Sequence, residues 1–248
     1  MTPLRIGCVK YLNARPLIFG WDAPVEFDHP AVLCRKLAAG ELDVAFVSSF
    51  EFLENPIYRI VDGVAIGSDG PVESVVLAHK HSLGATDEVA LDPASRTSAN
   101  LLHCLLAESG LKVRVVPSSD RAQLLIGDQA IRFRKAHGSE YQFRDLGAWW
   151  KELTGLPFVF ALWLIRPEIA DAAVIADRLR AQRDQNLHSL SRLIAAEKEF
   201  SPEFCQHYFR DCLRFQFAER EKQGLLKFRE LCEKHRILQP NPAPLRLI

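Results

Sequence analysis

The sequence predicts an α/β protein with two lobes, mainly parallel sheets, a ligand cleft between the lobes and a helical C-terminus. Three features of its 248 residues carry this expectation. Short apolar runs of strand length alternate with amphipathic stretches of helical period, the pattern of strand–helix–strand units. That alternation runs once to residue 78 and restarts at residue 88. After Pro167 the strand-like runs stop and two long helical stretches follow.

Residues 4–9 (LRIGCV) are an apolar run suited to a buried parallel strand. The polar joint KYLNAR follows, and Pro16 opens a helix over 16–19, where its missing N–H costs nothing. Residues 25–29 alternate as a second strand. Residues 31–39 carry Val32, Leu33 and Leu37 at helical spacing, with Gly40 as the stop. Residues 43–47 are a third strand ending in Ser48-Ser49, and 58–66 and 73–78 are strands around a turn at 67–71. The second series opens with a strand at 88–91, the polar loop DPASRTS and a helix over 99–108 ended by Gly110. Strands at 112–116 and 123–126, helical residues 129–134, a helix at 145–153 carrying Trp149 and Trp150, and an apolar strand at 158–165 complete it. Residues 169–196 and 203–235 read as helical throughout, with Leu225, Phe228, Leu231 and Cys232 on one face. The prolines of QPNPAPLRLI exclude regular helix from the tail. The expected division is 1–86 in the first lobe, 87–160 in the second, and 161–248 as a return strand and helices mostly on the first.

Lys+Arg and Asp+Glu both number 31. The zero balance argues against a nucleic-acid partner or an anionic membrane surface, both of which select a basic surplus. No run reaches the ~18 apolar residues of a membrane span. MTPLRIGCV lacks the basic and apolar regions of a leader, so the expected location is cytoplasmic. The six cysteines (Cys8, Cys34, Cys104, Cys205, Cys212, Cys232) lie in apolar runs with no CxxC pair. They read as buried free thiols in a reducing compartment, and their spacing gives no metal site. A homo-oligomer is compatible with this composition.

In open parallel sheets, ligands bind beyond the carboxyl ends of the strands. Four predicted strand tips carry polar groups at that end: Asn13 with Tyr11 and Arg15, Ser48-Ser49, the Ser95–Ser98 stretch, and Asp128. In DPASRTSANLL either Thr97 or Ser98 can cap the following helix. The free N–H groups of a helix start, the hydroxyls of Ser95, Thr97 and Ser98, and Arg96 nearby suit a carboxylate or phosphate. The plain alternative is a capped helix with a surface arginine. Asn13 offers a donor and an acceptor and Arg15 a bidentate fork, or they form a turn with Arg15 in solvent. Ser48 and Ser49 also suit a cap, as does Asp128, and Ser74 points either into the cleft or outward. G-x-S-x-G, Walker A, H-E-x-x-H and GxGxxG are all absent, and none of the eight histidines stands at a recognisable spacing from a nucleophile. The residues alone thus describe a cleft for a small anion and leave enzyme and binding protein open.

Several segments together resemble chorismate dehydratase of the futalosine route to menaquinone. They are RIGCVKYLNARPL, GELDVAFVSSFEFL, GPVESVVL, LDPASRTSANLL, AQLLIGDQAI, DLGAWWKELTGLPFVFALW and EKQGLLKFRELCEKHRIL, in family order from residue 5 to about 238. Two departures stand out: Arg121 where an acidic residue is expected before Ala122, and Phe215 where a tyrosine is expected. The resemblance implies the two-lobe fold of type II periplasmic binding proteins, no cofactor, and the small-molecule substrate chorismate, converted to 3-[(1-carboxyvinyl)oxy]benzoate and water.

On that reading Arg15 or Arg96 clamps a substrate carboxylate. Tyr11, Ser48, Ser49, Ser74, Ser95, Thr97 and Ser98 contribute to binding, and Asn13 orients the substrate and assists the departing hydroxyl. The C3 proton goes either to a substrate carboxylate or to Asp128, the one acidic residue in a strand-tip motif. Two other readings are a non-catalytic binding module for an aromatic carboxylate and the sister enzyme acting on a futalosine-type substrate.

Overall fold

The computed structural model describes residues 4–82, 84, 88–92 and 95–248. Residues 1–3 at the start of the chain, and Pro93 and Ala94 of the DPASRTS loop, lie outside that set. The first series is built from β1 (Ile6–Val9), α1 (Arg15–Ile18), β2 (Val25–Asp28), α2 (Pro30–Ala39), β3 (Val44–Ser48), α3 (Ser49–Glu54) and β4 (Arg59–Ser68). The second comprises β5 (Val75–His79), β6 (Glu88–Ala90), α4 (Arg96–Glu108), β7 (Arg114–Val116), β8 (Ala122–Ile126), α5 (Gly127–His137), β9 (Gln142–Asp145) and α6 (Leu146–Thr154). The chain then returns through β10 (Phe158–Ile165) and ends in α7 (Ala172–His188), α8 (Leu190–Ala196), α9 (Pro202–His207), a π-helical turn (Tyr208–Cys212) and α10 (Glu219–Lys234).

Two five-stranded sheets result, ordered β2-β1-β3-β10-β4 and β7-β6-β8-β5-β9. The expected two-lobe α/β architecture is present, but its sheets are mixed rather than mainly parallel. β1 pairs parallel with β2 and β3, and β6 with β7 and β8. β10 runs antiparallel between β3 and β4, and β5 antiparallel between β8 and β9. These two are the strands the chain uses to cross between lobes, so each enters its sheet from the opposite end. A buried crossing strand is apolar on both faces whichever way it runs, and periodicity does not report its direction.

The division expected at residue 86 falls outside the described residues, and the strand order moves it. β5 belongs to the second sheet, so the first crossover lies between Ser68 and Val75. The return falls between Asp145 and Phe158, with β10 wholly in the first sheet.

The helical reading of the C-terminus also needs two breaks. Ser189 separates α7 from α8, and residues 213–218 leave helix for an extended segment. There Arg214 exchanges backbone hydrogen bonds with Gly67 at 2.9 and 2.8 Å, which pins the segment to the end of β4. The proline-rich tail is extended and lies along the other end of β4, with Ile60 N–H to Arg246 at 2.7 Å and Ile248 N–H to Ile60 at 2.9 Å. An edge strand that would expose unpaired backbone is thereby covered.

The core is continuous across both lobes. At the junction Trp150 of α6, Phe158 of β10 and Phe228 of α10 meet with ring centroids 5.0–6.2 Å apart, in edge-to-face arrangements. Phe228 carries the apolar face predicted for the last helix. All six cysteines are buried and unbridged. No helix among the described residues is long and apolar enough to cross a membrane.

Candidate functional site

The carboxyl ends of β1, β3 and β8 converge between the lobes. The joint after β1 is a tight 3-10 turn, Leu12–Ala14, which leads directly into α1 with Pro16 in its first turn. The second lobe closes that turn: Leu12 N–H donates to Asp128 Oδ1 at 2.9 Å, where α5 begins. Beside it Gly127 sits at φ +60 against the face of Tyr11, and a Cβ there would stand 2.9 Å from the ring. Glycine is required at this joint on both counts, conformation and space.

Behind this closure lies a small inner pocket. Phe46, Phe160, Ile66, Val72, Val75 and Ile126 give it apolar walls, while Tyr11, Asn13, Ser48, Ser74, Ser95 and Ser98 supply its polar groups. No lysine, arginine, histidine or carboxylate is among the described lining residues. Two of its polar atoms, Asn13 Oδ1 and Ser74 Oγ, are buried with no hydrogen-bond partner among the described residues. The buried Tyr208 hydroxyl lies beside Ser74 without completing a hydrogen bond to it. Native proteins rarely leave such atoms orphaned, because each costs about 1–3 kcal/mol. Both of these atoms belong to residues that line this one pocket.

The serines have divided tasks. Ser95, rather than Thr97 or Ser98, caps α4: its Oγ accepts from Ser98 N–H at 3.2 Å and donates to Ser98 Oγ at 3.0 Å. The helix therefore begins at Arg96, three residues before its expected start. Thr97 is a tie between the lobes and does not line the inner pocket. Its Oγ1 accepts from Phe50 N–H at 3.0 Å, lies 3.3 Å from Ser49 Oγ and bonds Ser48 Oγ. Ser49 donates to Val159 O at 2.7 Å, also outside the pocket. Thr97→Val keeps the volume but strands the Phe50 N–H. It should destabilise the fold by about 1–3 kcal/mol in denaturant melts, whereas Ser74→Ala, which removes an orphan, should not.

Neither arginine proposed as a clamp reaches this pocket. Arg96 is turned outward, pairing with Glu54 (Nη1–Oε2 2.5 Å) and Glu51 (3.8 Å), with its guanidinium 5.1 Å from the Phe50 ring centroid. Arg15 pairs with Glu197, a carboxylate only 2% exposed. It lines an outer cleft instead, with Lys10, His29, Asp92, Asp128 and Arg132. A carboxylate in the inner pocket would therefore meet neutral hydroxyls and the Asn13 amide. The N-cap of α5, Ile126, lines the pocket, and the N–H of the helix's first residue, Gly127, is already taken by Ser74 O at 2.7 Å.

Asp128 stands at the rim between the two cavities. Burial holds its carboxyl above the usual carboxylate range, opposed by the Leu12 N–H and by Arg132. A carboxyl raised in the fold contributes stability that is fully present below its unfolded pKa and is lost as pH rises through the folded value. Asp128→Asn keeps an acceptor for Leu12 N–H. It should therefore raise the melting temperature relative to wild type more at neutral than at mildly acidic pH. A difference independent of pH would contradict the assignment. Tyr11 is likewise shifted, to about 12, by burial and then by Asp92 and Asp128, so its phenol stays protonated at neutral pH.

Sequence reasoning missed the apolar walls, which look like any buried strand, and Asp145. That carboxylate accepts from the backbone N–H of Val72, Glu73 and Ala148 at 2.7–3.1 Å, so it holds the first crossover and caps α6 together. Its signal was an Asp at the start of the predicted 145–153 helix.

The Menaquinone biosynthesis family matches residues 4–234. A protein from Thermus thermophilus named chorismate dehydratase is 31% identical over 93% of this chain and 95% of its own length. One of the same name from Campylobacter jejuni is 27% identical over 94% and 93%. Among solved structures, the alkanesulfonate-binding protein SsuA from Xanthomonas axonopodis pv. citri superposes with a TM-score of 0.70 at 16% identity, over 99% of this chain and 97% of that one. This last likeness is one of fold, the two-lobe architecture of periplasmic binding proteins.

Proposed function

From the premise that this chain belongs to the menaquinone-biosynthesis family, alongside proteins named chorismate dehydratase, we propose that it converts chorismate to 3-[(1-carboxyvinyl)oxy]benzoate and water. The observation that carries this reading is the pair of buried orphans, Asn13 Oδ1 and Ser74 Oγ, at a largely apolar pocket. Chorismate brings hydroxyl and carboxylate groups that answer such atoms and a ring that answers the apolar walls.

In the dehydration the C3–H bond breaks and its electron pair forms the new ring double bond. The C4–O bond breaks in turn, and proton and hydroxyl leave as water in the net reaction. Aromatisation supplies the driving force. The work left to the protein is to hold one conformer, exclude bulk water and orient the leaving group. Asn13 faces the departing hydroxyl, with Ser74 beside it. Ser48, Ser95 and Ser98 receive a carboxylate.

A substrate carboxylate is the proton acceptor on this reading. What supports it is the lining of the inner pocket, where Tyr11 is the one titratable side chain among the described residues and is held protonated. Asp128 stays at the rim, occupied by the Leu12 N–H. Its substitution decides the matter. Asp128→Asn should retain chorismate turnover within about tenfold, the small cost of altering a group outside the reacting atoms. Turnover abolished with chorismate binding intact would make Asp128 the base.

A further inference from the structure

We propose that Glu73, His207 and Cys212 form a binding site for one divalent cation of zinc's class, separate from the inner pocket. A carboxylate oxygen, an imidazole nitrogen and a thiol sulfur converge there within 4.8 Å of one another. His207 Nε2 lies 3.4 Å from Cys212 Sγ and 3.7 Å from Glu73 Oε1. Zinc binds N, O and S at ~2.0–2.3 Å with tetrahedral geometry, which sets the ligand–ligand edges at roughly 3.3–3.6 Å. The two separations that involve His207 are close to those edges and the third, between Glu73 and Cys212, is within 4.8 Å, so side-chain adjustment completes the site. Borderline-soft donors of this mixture select zinc-like ions over magnesium or calcium, which take all-oxygen sets.

Three features aim these groups at one point. Asp211 Oδ2 lies 2.9 Å from His207 Nδ1, which directs Nε2 toward Glu73 and Cys212, the carboxylate–histidine arrangement that orients metal-bound imidazoles. His207 and Cys212 are five residues apart, a separation that in an α-helix would leave them ~140° apart around the axis. The π-helical turn Tyr208–Cys212 widens the spiral and brings them to the same side. Glu73 adopts φ +62, a left-handed conformation costly for a glutamate, and its N–H is fixed to Asp145 Oδ2 at 2.7 Å.

The charges also suit a dication. Thiolate and Glu73 carboxylate neutralise it, and Arg134, 4.0 Å from Glu73, offsets Asp211. His207 is exposed, which leaves a fourth position for water. The bound ion would fasten the C-terminal segment of the first lobe to the crossover, one residue from Ser74.

The test is titration of the full chain with Co²⁺. The expected result is one equivalent bound, with the visible bands of tetrahedral cobalt and a thiolate-to-cobalt charge-transfer band, all displaced by Zn²⁺. Cys212→Ser should abolish the charge-transfer band. His207→Gln, a surface change with no packing cost, should weaken binding by about 100-fold or more, and Asp211→Asn by about 10-fold. Absence of the charge-transfer band from the wild-type chain, its survival in Cys212→Ser, or unchanged affinity in His207→Gln would each overturn the proposal.

Discussion

Asn13→Ala is expected to lower kcat for chorismate by about 10²–10³-fold, the effect of removing one polar group aimed at the reacting centre. The same change should leave the melting temperature unchanged or raise it. Both halves follow from the buried Oδ1, which has no partner among the described residues. The folded protein already bears the cost of desolvating that carbonyl, and deleting it relieves the cost. Only the substrate complex, where the carbonyl has something to bond, loses by the change. Steady-state kinetics and thermal melts on one preparation check the two together. A variant that lost stability and activity in step would show Asn13 to be a structural turn residue.

The largest effect on stability is expected from Gly224→Ala. Gly224 is buried in α10 where that helix crosses the return into β10, and a Cβ there would overlap the carbonyl oxygen of Pro157. The same carbonyl accepts from the Trp150 indole N–H at 3.2 Å. Neither the backbone nor the indole can yield alone, so α10 must lift from the junction and loosen the packing of Trp150, Phe158 and Phe228. Overpacking of this kind costs about 1–3 kcal/mol or more. For a chain of this size that is a fall in melting temperature of roughly 4–10 °C. Turnover below the transition should persist, since Gly224 does not line the pocket. An unchanged melting temperature would mean that α10 slides without penalty.

The elements that periodicity exposes were legible in the sequence. The strands of the first sheet, a capped helix after the DPASRTS loop and the apolar face of α10 all follow from local pattern. So did the gathering of Asn13, Ser48, Ser95 and Ser98 at one place, because strand tips in α/β sheets share an end, whereas Ser74, just before β5, reads equally as facing the cleft or outward. What escaped depends on contacts between distant residues. Arg15 and Arg96 read alike as candidate clamps, yet Arg15 is taken by Glu197, 182 positions away, and Arg96 by Glu54, 42 away. Thr97 looked like a ligand hydroxyl because nothing local reveals that Phe50 N–H reaches it across the junction. The Glu73, His207 and Cys212 cluster is invisible for the same reason, since its members have neither CxxC nor HxxxH spacing.

The central claim is that the inner pocket dehydrates chorismate. The most direct test mixes the purified chain with chorismate, without added metal or cofactor, and follows the products by liquid chromatography–mass spectrometry. The account predicts a product lighter than chorismate by one water, with an aromatic ring, formed by the wild-type chain and scarcely by Asn13→Ala. Chorismate that binds saturably and is recovered unchanged would contradict it, and would mean that this chain keeps the receptor's cleft without the chemistry.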